Sequence, residues 1–447
     1  MKPEARILTQ RSYPVNFTSA RFLLLPALFI AVLCSAVIAD EQTAHNKPIS
    51  TIVIVGNEVT DENVIIRELT VQKGAIPLQE ELDESRKRLL NLRLFTRVDL
   101  YLVPQNEEAD ILIVEVTEQW YFYPVPILTM RERDWKKWSY GLAVTHSNFR
   151  GQNEKFWAGF WFGYRPGFGI NFQDQWAGDS LHLTTGFSFN KTTFNHRTLD
   201  FEERHLSGSL SVGKWWNLYL NSDLILLIDR ISVDQDYVSY MRSGKETEYL
   251  IGIAGVLRFD TRDLYSYPSR GAFIRLYAMH NGVFQKYNRY QQIDLDTRMF
   301  LPAYSTTFGI RIFQSYLIGS VPVYRLNYLG FGERIRGRFY EFWEGRNINL
   351  ASIEFRIPVI PVRYFSMNLP FIPEAYTRNL KLGLNFGIFA DAGIIWTDPH
   401  EYAMSNVKSG FGAGLHLRLP YIEVFRIDYA FDPNWRGQVI VEVGVSF

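Results

Sequence analysis

The chain has 447 residues, and its 47 lysines plus arginines are balanced by 47 aspartates plus glutamates, so charge does not point to nucleic acid as a partner. Aromatic residues make up 15% of it while mean hydropathy stays close to zero, which argues against a bundle of membrane helices and leaves room for a barrel, where only alternate residues face lipid. The single cysteine, Cys34, lies in an N-terminal apolar run; with that run removed, cysteine catalysis, disulfides and Cys-ligated metal are excluded.

Residues 1–39 read as a signal peptide and 40–48 as a linker. Phe22 to Ala39 is the apolar run, Arg6, Arg11 and Arg21 precede it, and Val37 and Ala39 offer a small-residue cleavage site before Asp40. Two alternatives stay open. One is an uncleaved inner-membrane anchor, since the run is long for a signal core. The other is a lipoprotein, for which Ala31-Val32-Leu33 is a poor lead-in to Cys34. No later segment suits a membrane-spanning helix, so a membrane-integral mature chain has to be a barrel.

Residues 49–118 predict a small α+β domain. Ile49 and Thr51 to Val55 are all β-branched and form a strand, which Gly56-Asn57 ends with a turn. Thr60 stands where an N-cap belongs, Asp61 and Glu62 complement the helix dipole, and Val64, Ile65 and Leu69 supply an apolar face. A second helix runs from about Leu78 to Leu92, acids early and bases late, with Leu78, Leu82, Leu89 and Leu92 on one face. Strands follow at Phe95 to Val103 and Asp110 to Val116.

Residues 119–447 are dominated by two-residue alternation, with an apolar row on one face and polar or small residues on the other. Leu181, Leu183, Thr185, Phe187 and Phe189 oppose His182, Thr184, Gly186, Ser188 and Asn190. On 380–391, the even row from Leu380 to Ala390 opposes an odd row that includes Phe389 and Asp391. Trp215, Trp216, Tyr219 and Trp396 mark strand ends, as interfacial girdles do. In the last strand Val439, Val441, Val443, Val445 and Phe447 are expected to point outward and Gln438, Glu442, Gly444 and Ser446 inward, with Ile440 the exception. At roughly 20 residues per strand with its loop, the region makes about sixteen antiparallel strands. A soluble β-sandwich is the alternative, although it would bury its aromatic face.

Several of these segments resemble the BamA/TamA superfamily of outer-membrane assembly and translocation proteins, in a short form of bacterial surface antigen type. Ile52 to Asn57 with Gly56 and Asn57, then Leu94-Phe95 with Val98, then Val114 to Glu118 resemble one POTRA domain, the periplasmic repeat of that superfamily. The segment Ile335-Arg336-Gly337-Arg338-Phe339 is similar to the superfamily's V-R-G-[FY] loop, which folds back into the lumen; Arg338 stands where the aromatic is expected and Phe339 comes one position late. Phe389-Ala390-Asp391-Ala392-Gly393 resembles its F-x-D-x-G strand, and Ser352-Ile353-Glu354-Phe355-Arg356 its S-x-E-x-R strand. Phe259 to Asp263 and Pro268 to Gly271 resemble its D-T-R-D … P-x-R-G hairpin. The terminal aromatic resembles the assembly signal of outer-membrane proteins, with Glu442 in place of a glycine.

Alternation puts Glu354, Arg356 and Asp391 on the lumen side, so Arg336 is expected to bridge Asp391 and Glu354, as a planar guanidinium can and an ammonium cannot. The alternative is three unrelated lumen charges. The resemblance implies an outer-membrane protein with its POTRA domain in the periplasm. Its partners would be outer-membrane lipid, an unfolded client polypeptide, and a periplasmic chaperone or dedicated secreted partner. In that family the domain holds a client as an added strand; a plain plug at the barrel mouth is the alternative. Insertion or translocation of polypeptide is the leading function, and a diffusion pore or lipid conduit the runner-up. No G-x-S-x-G, P-loop or H-E-x-x-H occurs, so no catalytic residue, cofactor or metal is expected.

Overall fold

The computed structural model describes residues 47–130, 136–178, 181–199, 201–285, 287–368, 370, 377–420 and 423–447. The expected signal peptide, Cys34 and all but the end of the linker lie outside them. In the small domain, β1 (Ile49–Val55) is followed by helices α1 (Glu62–Ile66) and α2 (Gln79–Asn91) and by strands β2 (Phe95–Pro104) and β3 (Asp110–Glu118). The sheet order is β1-β3-β2, with β1 parallel and β2 antiparallel to β3. One face of the sheet meets both helices in a core that includes Ile49, Ile65, Leu82, Leu89, Leu112 and Val114.

Two local expectations change. Asp61, not Thr60, caps α1: its carboxylate accepts from the Asn63 N–H. Thr60 is drawn away because its N–H is taken by Glu118 Oε1 (2.7 Å) and its buried hydroxyl meets Tyr121 Oη (3.0 Å) and Asn148 Nδ2 (3.0 Å). Leu78 is the N-cap of α2 and is partly exposed. There its N–H donates to Glu81 Oε2 (3.0 Å) instead of its side chain joining the core.

The rest is one sixteen-stranded sheet in which every neighbouring pair is antiparallel. It begins with β4 (Phe122–Met130), β5 (Trp138–Phe149), β6 (Glu154–Gly163), β7 (Gly167–Ala177), β8 (Leu183–Asn195) and β9 (Glu202–Trp215). It continues through β10 (Leu220–Ser232), β11 (Thr247–Asp260), β12 (Gly271–Asn281), β13 (Tyr290–Ala303) and β14 (Thr306–Gly319). After a two-stranded ribbon of β15 (Asn327–Leu329) and β16 (Trp343–Gly345) come β17 (Asn347–Phe365), β18 (Leu380–Trp396), β19 (Lys408–Leu419), β20 (Glu423–Phe431) and β21 (Gly437–Val443). The strand number matches the expectation, and so does the alternation: Ile353, Ile388, Leu415, Val439 and Val441 are exposed on the outer wall, while Glu354, Arg356, Asp391 and His416 are buried inside. Burying so many charges in a protein requires partners for them, and the lumen provides these.

Order runs from β4 round to β21, and among the described residues no ladder joins those two end strands. At the end of β21 the expected alternation fails. Gly444 takes φ +98°, a left-handed conformation that glycine adopts without strain, and the chain leaves the wall. Phe447 therefore lies buried inside, stacked on Phe300 at 6.1 Å between ring centres, rather than in lipid.

The small domain and the barrel form one compact unit, joined through the barrel's short turns. Asn91, at the end of α2, donates to the Asp263 carbonyl (3.0 Å) and accepts from the Tyr265 N–H (2.8 Å). Arg88 reaches the Leu218 carbonyl (3.2 Å) while holding Glu68 at 2.6 Å; burial pushes the Glu68 carboxyl above its ordinary range and Arg88 draws it back. Asp61 donates its N–H to the Gly151 carbonyl (3.0 Å), and Asn379 bonds both Thr117 and Arg97. Asn91→Ala leaves a backbone N–H and a carbonyl unpaired, at a cost of about 1–3 kcal/mol. Amide exchange at Tyr265 is expected to speed up while exchange within β2 and β3 stays as it was.

Candidate functional site: the lumen latch

The segment between β14 and β17 turns back into the barrel. Its β15–β16 ribbon and the apolar group Leu329, Ile335, Ile348 and Leu350 form a small core against the inner wall. From that anchor the chain delivers Arg336 to the centre of a charged cluster. The Arg336 backbone N–H (2.9 Å) and Nε (2.8 Å) donate to Asp391 Oδ2, and Nη2 donates to Asp391 Oδ1 (2.8 Å). Nη1 donates to Glu354 Oε2 (2.6 Å). The guanidinium lies 3.7 Å over the centre of the Phe389 ring. Arg336 is 3% exposed, so solvent screens these interactions little. The bidentate grip on Asp391 with a second carboxylate beyond it is the bridge expected of arginine.

Backbone fit holds the loop as tightly as charge does. Gly337 has φ +89°, and a Cβ there would overlap the Phe431 carbonyl oxygen. A Cβ on Gly410 of β19 would overlap the Arg336 carbonyl oxygen. Gly393 leaves room for Ile335, whose Cδ1 a Cβ there would approach to 3.3 Å. Arg338 donates to the Ser409 carbonyl (3.2 Å) and pairs with Glu341 (2.9 Å). Phe339 takes over the missing aromatic's place: it packs on Phe389, Ala430 and Ile440, and its N–H donates to Gln438 Oε1 on β21 (2.8 Å).

The supporting strands converge on the same cluster. Ser352 sits directly opposite Asp391 in the β17–β18 register. Arg356 Nε donates to Glu354 Oε1 (2.7 Å), and its Nη1 to the Pro268 carbonyl (3.1 Å), so the S-x-E-x-R strand is tied to the P-x-R-G turn. Ser446 Oγ donates to Glu354 Oε2 (2.8 Å). In the small domain, Gly56 takes φ +88° where a Cβ would strike the Val116 carbonyl, Asn57 donates to the Thr60 carbonyl (3.2 Å), and Phe95 is part of the core. The structure thus brings Arg336, Asp391, Glu354, Phe389, Ser352 and Arg356 together, and leaves Gly56, Asn57 and Phe95 as parts of a separate fold.

Residues outside the expected bridge also join. Glu333 bonds Arg311 (2.8 Å), and Glu442 of β21 pairs with Arg334 (2.5 Å) and Arg426 (2.6 Å). Asp428, fully buried, lies 3.2 Å from Arg426 and 4.0 Å from Arg336. Arg311, Arg426, Asp428 and Glu442 share an inward parity on β14, β20 and β21, while Glu333 and Arg334 come from the loop itself. A cavity of about 1630 Å³ lies below, lined among others by Arg93, Tyr123, Lys155, Asp260 and Arg298. Among the described residues no group of His, Cys, Asp and Glu is arranged to hold a metal ion.

Comparison with known proteins places this geometry in a family. Residues 148–446 match the Omp85 superfamily domain, and residues 48–119 match the POTRA family described as a surface antigen variable number repeat. The chain is 25% identical over 417 residues to the outer membrane protein assembly factor BamA of Nitratidesulfovibrio vulgaris, covering 86% of this chain and 48% of that protein. It therefore spans about half the length of that curated relative. BamA from Haemophilus ducreyi lacking POTRA domains 1–3 is similar in structure with a TM-score of 0.52 at 14% identity, over 98% of this chain and 95% of that one. CdiB from Escherichia coli gives a TM-score of 0.55 at 10% identity, over 90% and 75% respectively; at such identities the likeness speaks for the fold alone. With the domain match spanning well over half of its length, the chain belongs to the Omp85 superfamily, as an outer-membrane β-barrel with a POTRA domain on the periplasmic side.

Proposed function

We propose that this protein inserts unfolded polypeptides into, or passes them across, the outer membrane. The POTRA domain takes up an extended client at the edge of its sheet, where β2 exposes Tyr101 and Val103 and, among the described residues, has only β3 as a strand neighbour. The barrel then parts at the seam between β4 and β21. The observation that carries this reading is the wall itself: sixteen strands follow one another by ladders, and among the described residues the two end strands share none. Work against the membrane comes from the client's own strand pairing and lipid burial, so no catalytic group is needed.

The latch supports insertion over free diffusion, because the loop occupies the lumen and grips the last strand through Gln438 and Glu442. Cysteines introduced on β4 and β21 test the reading in liposomes, with Cys34, the only native cysteine, replaced by serine. Oxidation is expected to stop the folding of an added barrel client, and reduction to restore it. Client folding that ignores the lock rules out lateral opening. Salt conductance or lipid transfer without client folding makes the protein a conduit.

A further inference from the structure

The cavity on the POTRA side of the lumen holds positive charge that its own walls leave unanswered. Its volume of about 1630 Å³ is lined by five cations, Arg93, Lys155, Arg258, Arg262 and Arg298, against two carboxylates, Asp223 and Asp260. Two of the cations are paired: Arg262 takes both oxygens of Asp260 (2.8 and 2.7 Å), and Arg298 both of Asp296 (3.1 and 2.6 Å). The other three are not. Lys155 Nζ donates to the Ser147 carbonyl and to Asn153 Oδ1, both at 2.7 Å, two neutral acceptors for an ammonium with three donors. Among the described residues the Arg93 and Arg258 side chains make no hydrogen bond or ion pair. Asp223 accepts from Thr184 Oγ1 (2.7 Å) and pairs with none of them.

Their placement sharpens the imbalance. Arg258 stands directly opposite Arg275 in the β11–β12 register, and like charges so placed repel. Arg93, just past α2, bears on Lys155 as a second positive charge. One sign of charge gathered in a cleft with low-dielectric walls focuses its field on an anion.

Between the cations the walls carry rings, among them Trp120, Tyr123, Trp215 and Phe273. On one side the cavity reaches Tyr123 of β4 and Val443 to Val445 at the end of β21. These are the periplasmic ends of the two wall strands that share no ladder among the described residues. Lipids of the inner leaflet lie beyond that side. Such a lipid brings both parts that the chamber lacks: a phosphate, which arginine and lysine bind, and acyl chains, which gain by leaving water for the rings. A polypeptide suits it less, because each residue also brings a backbone N–H and C=O that need partners.

We infer that this chamber binds a phospholipid of net negative charge from the inner leaflet, its phosphate at Lys155 and Arg93 in the field of Arg258, and its acyl chains along Tyr123, Trp215 and Phe273. The inference is independent of the proposed handling of polypeptides.

The full chain in phosphatidylcholine liposomes tests this, with phosphatidylglycerol that carries a photoactivatable group on one acyl chain as the probe. Adducts are expected at Tyr123, Trp215 or Phe273 inside, besides those at Ile388 and Val441 on the outer wall. Adducts on the outer wall alone overturn the inference. Lys155→Met with Arg93→Met should cut the inner adducts about tenfold, the weight of about one charge-assisted hydrogen bond. The outer adducts, which report a folded and inserted barrel, should stay as they are. Lys155→Arg should keep most of the inner labelling. Inner labelling that the double variant leaves unchanged, or that labelled phosphatidylcholine gives equally, overturns the charged site. Displacement by inorganic phosphate assigns the chamber to a free anion, and displacement by an acidic peptide assigns it to polypeptide; either overturns the lipid. Client folding is read in none of these arms, so their failure leaves the proposed function standing.

Discussion

Arg336→Ala is expected to free the lumen loop from the wall and to abolish most client folding, with the barrel itself still assembled. The substitution removes the guanidinium from between Asp391 and Glu354. Glu354 keeps Arg356 and Ser446. Asp391 loses its charged partner, with only the residue-336 N–H among its Arg336 bonds preserved. Removing one member of a buried pair costs about 3–5 kcal/mol, because the remaining charge is stranded. Against this stand the loop's other holds: the Glu333–Arg311 and Arg334–Glu442 pairs, a handful of hydrogen bonds and the apolar contacts of Ile335 and Phe339. Arg336→Lys keeps the charge but has no planar fork to span two carboxylates, so it should recover less than half of the loss. Protease cleavage within 330–345, followed on the folded barrel, reads the release directly. A loop that stays protected in Arg336→Ala would show that the Arg336 bridge is not what holds it.

Gly410→Ala tests the other half of the latch, leaving every charge in place. Its Cβ would overlap the Arg336 carbonyl oxygen, and neither side can yield: one belongs to the β18–β19 ladder opposite Asp391, the other to a residue fixed by four bonds. Overpacking of this kind costs about 1–3 kcal/mol or more. The loop should therefore loosen as it does in Arg336→Ala, with the ion pairs lengthened rather than deleted. Gly337→Ala should match or exceed it, since the strained φ of +89° adds to the overlap with Phe431. Retained protease protection and unchanged client folding in Gly410→Ala would mean that the loop rests loosely against β19.

Much of this latch was legible in the sequence because it depends on parity. Two-residue alternation puts Glu354, Arg356 and Asp391 on one side of the wall whatever the long-range fold, and the short motifs around them name the loop that supplies Arg336. The substitution at Arg338 looked like a defect in the loop tip. In three dimensions the backbone turns at Gly337, so the ring at Phe339 reaches Phe389, Ala430 and Ile440 one residue later. Parity also misled at the end of the chain, where a single left-handed glycine at 444 ends the strand and sends Phe447 inside. Asp61 displaced Thr60 as a cap because Thr60 is claimed by Glu118, Tyr121 and Asn148, 58 or more residues away. Contacts such as Asn91 with Asp263, 172 residues apart, leave no local mark at all.

The junction at Gln119 to Tyr121 has a mechanical meaning. The POTRA sheet ends with Glu118 and the wall begins with Phe122, so three residues, at most about 10 Å of extended chain, separate them. Tyr121 within that span is fastened to Thr60 and to the Leu94 carbonyl. Such a coupling has no slack. Under the proposed function, a tug on the periplasmic sheet by a bound chain would be transmitted as torque to β4, an end strand of the wall, and the domain would act on the seam as a crank acts on a hinge pin.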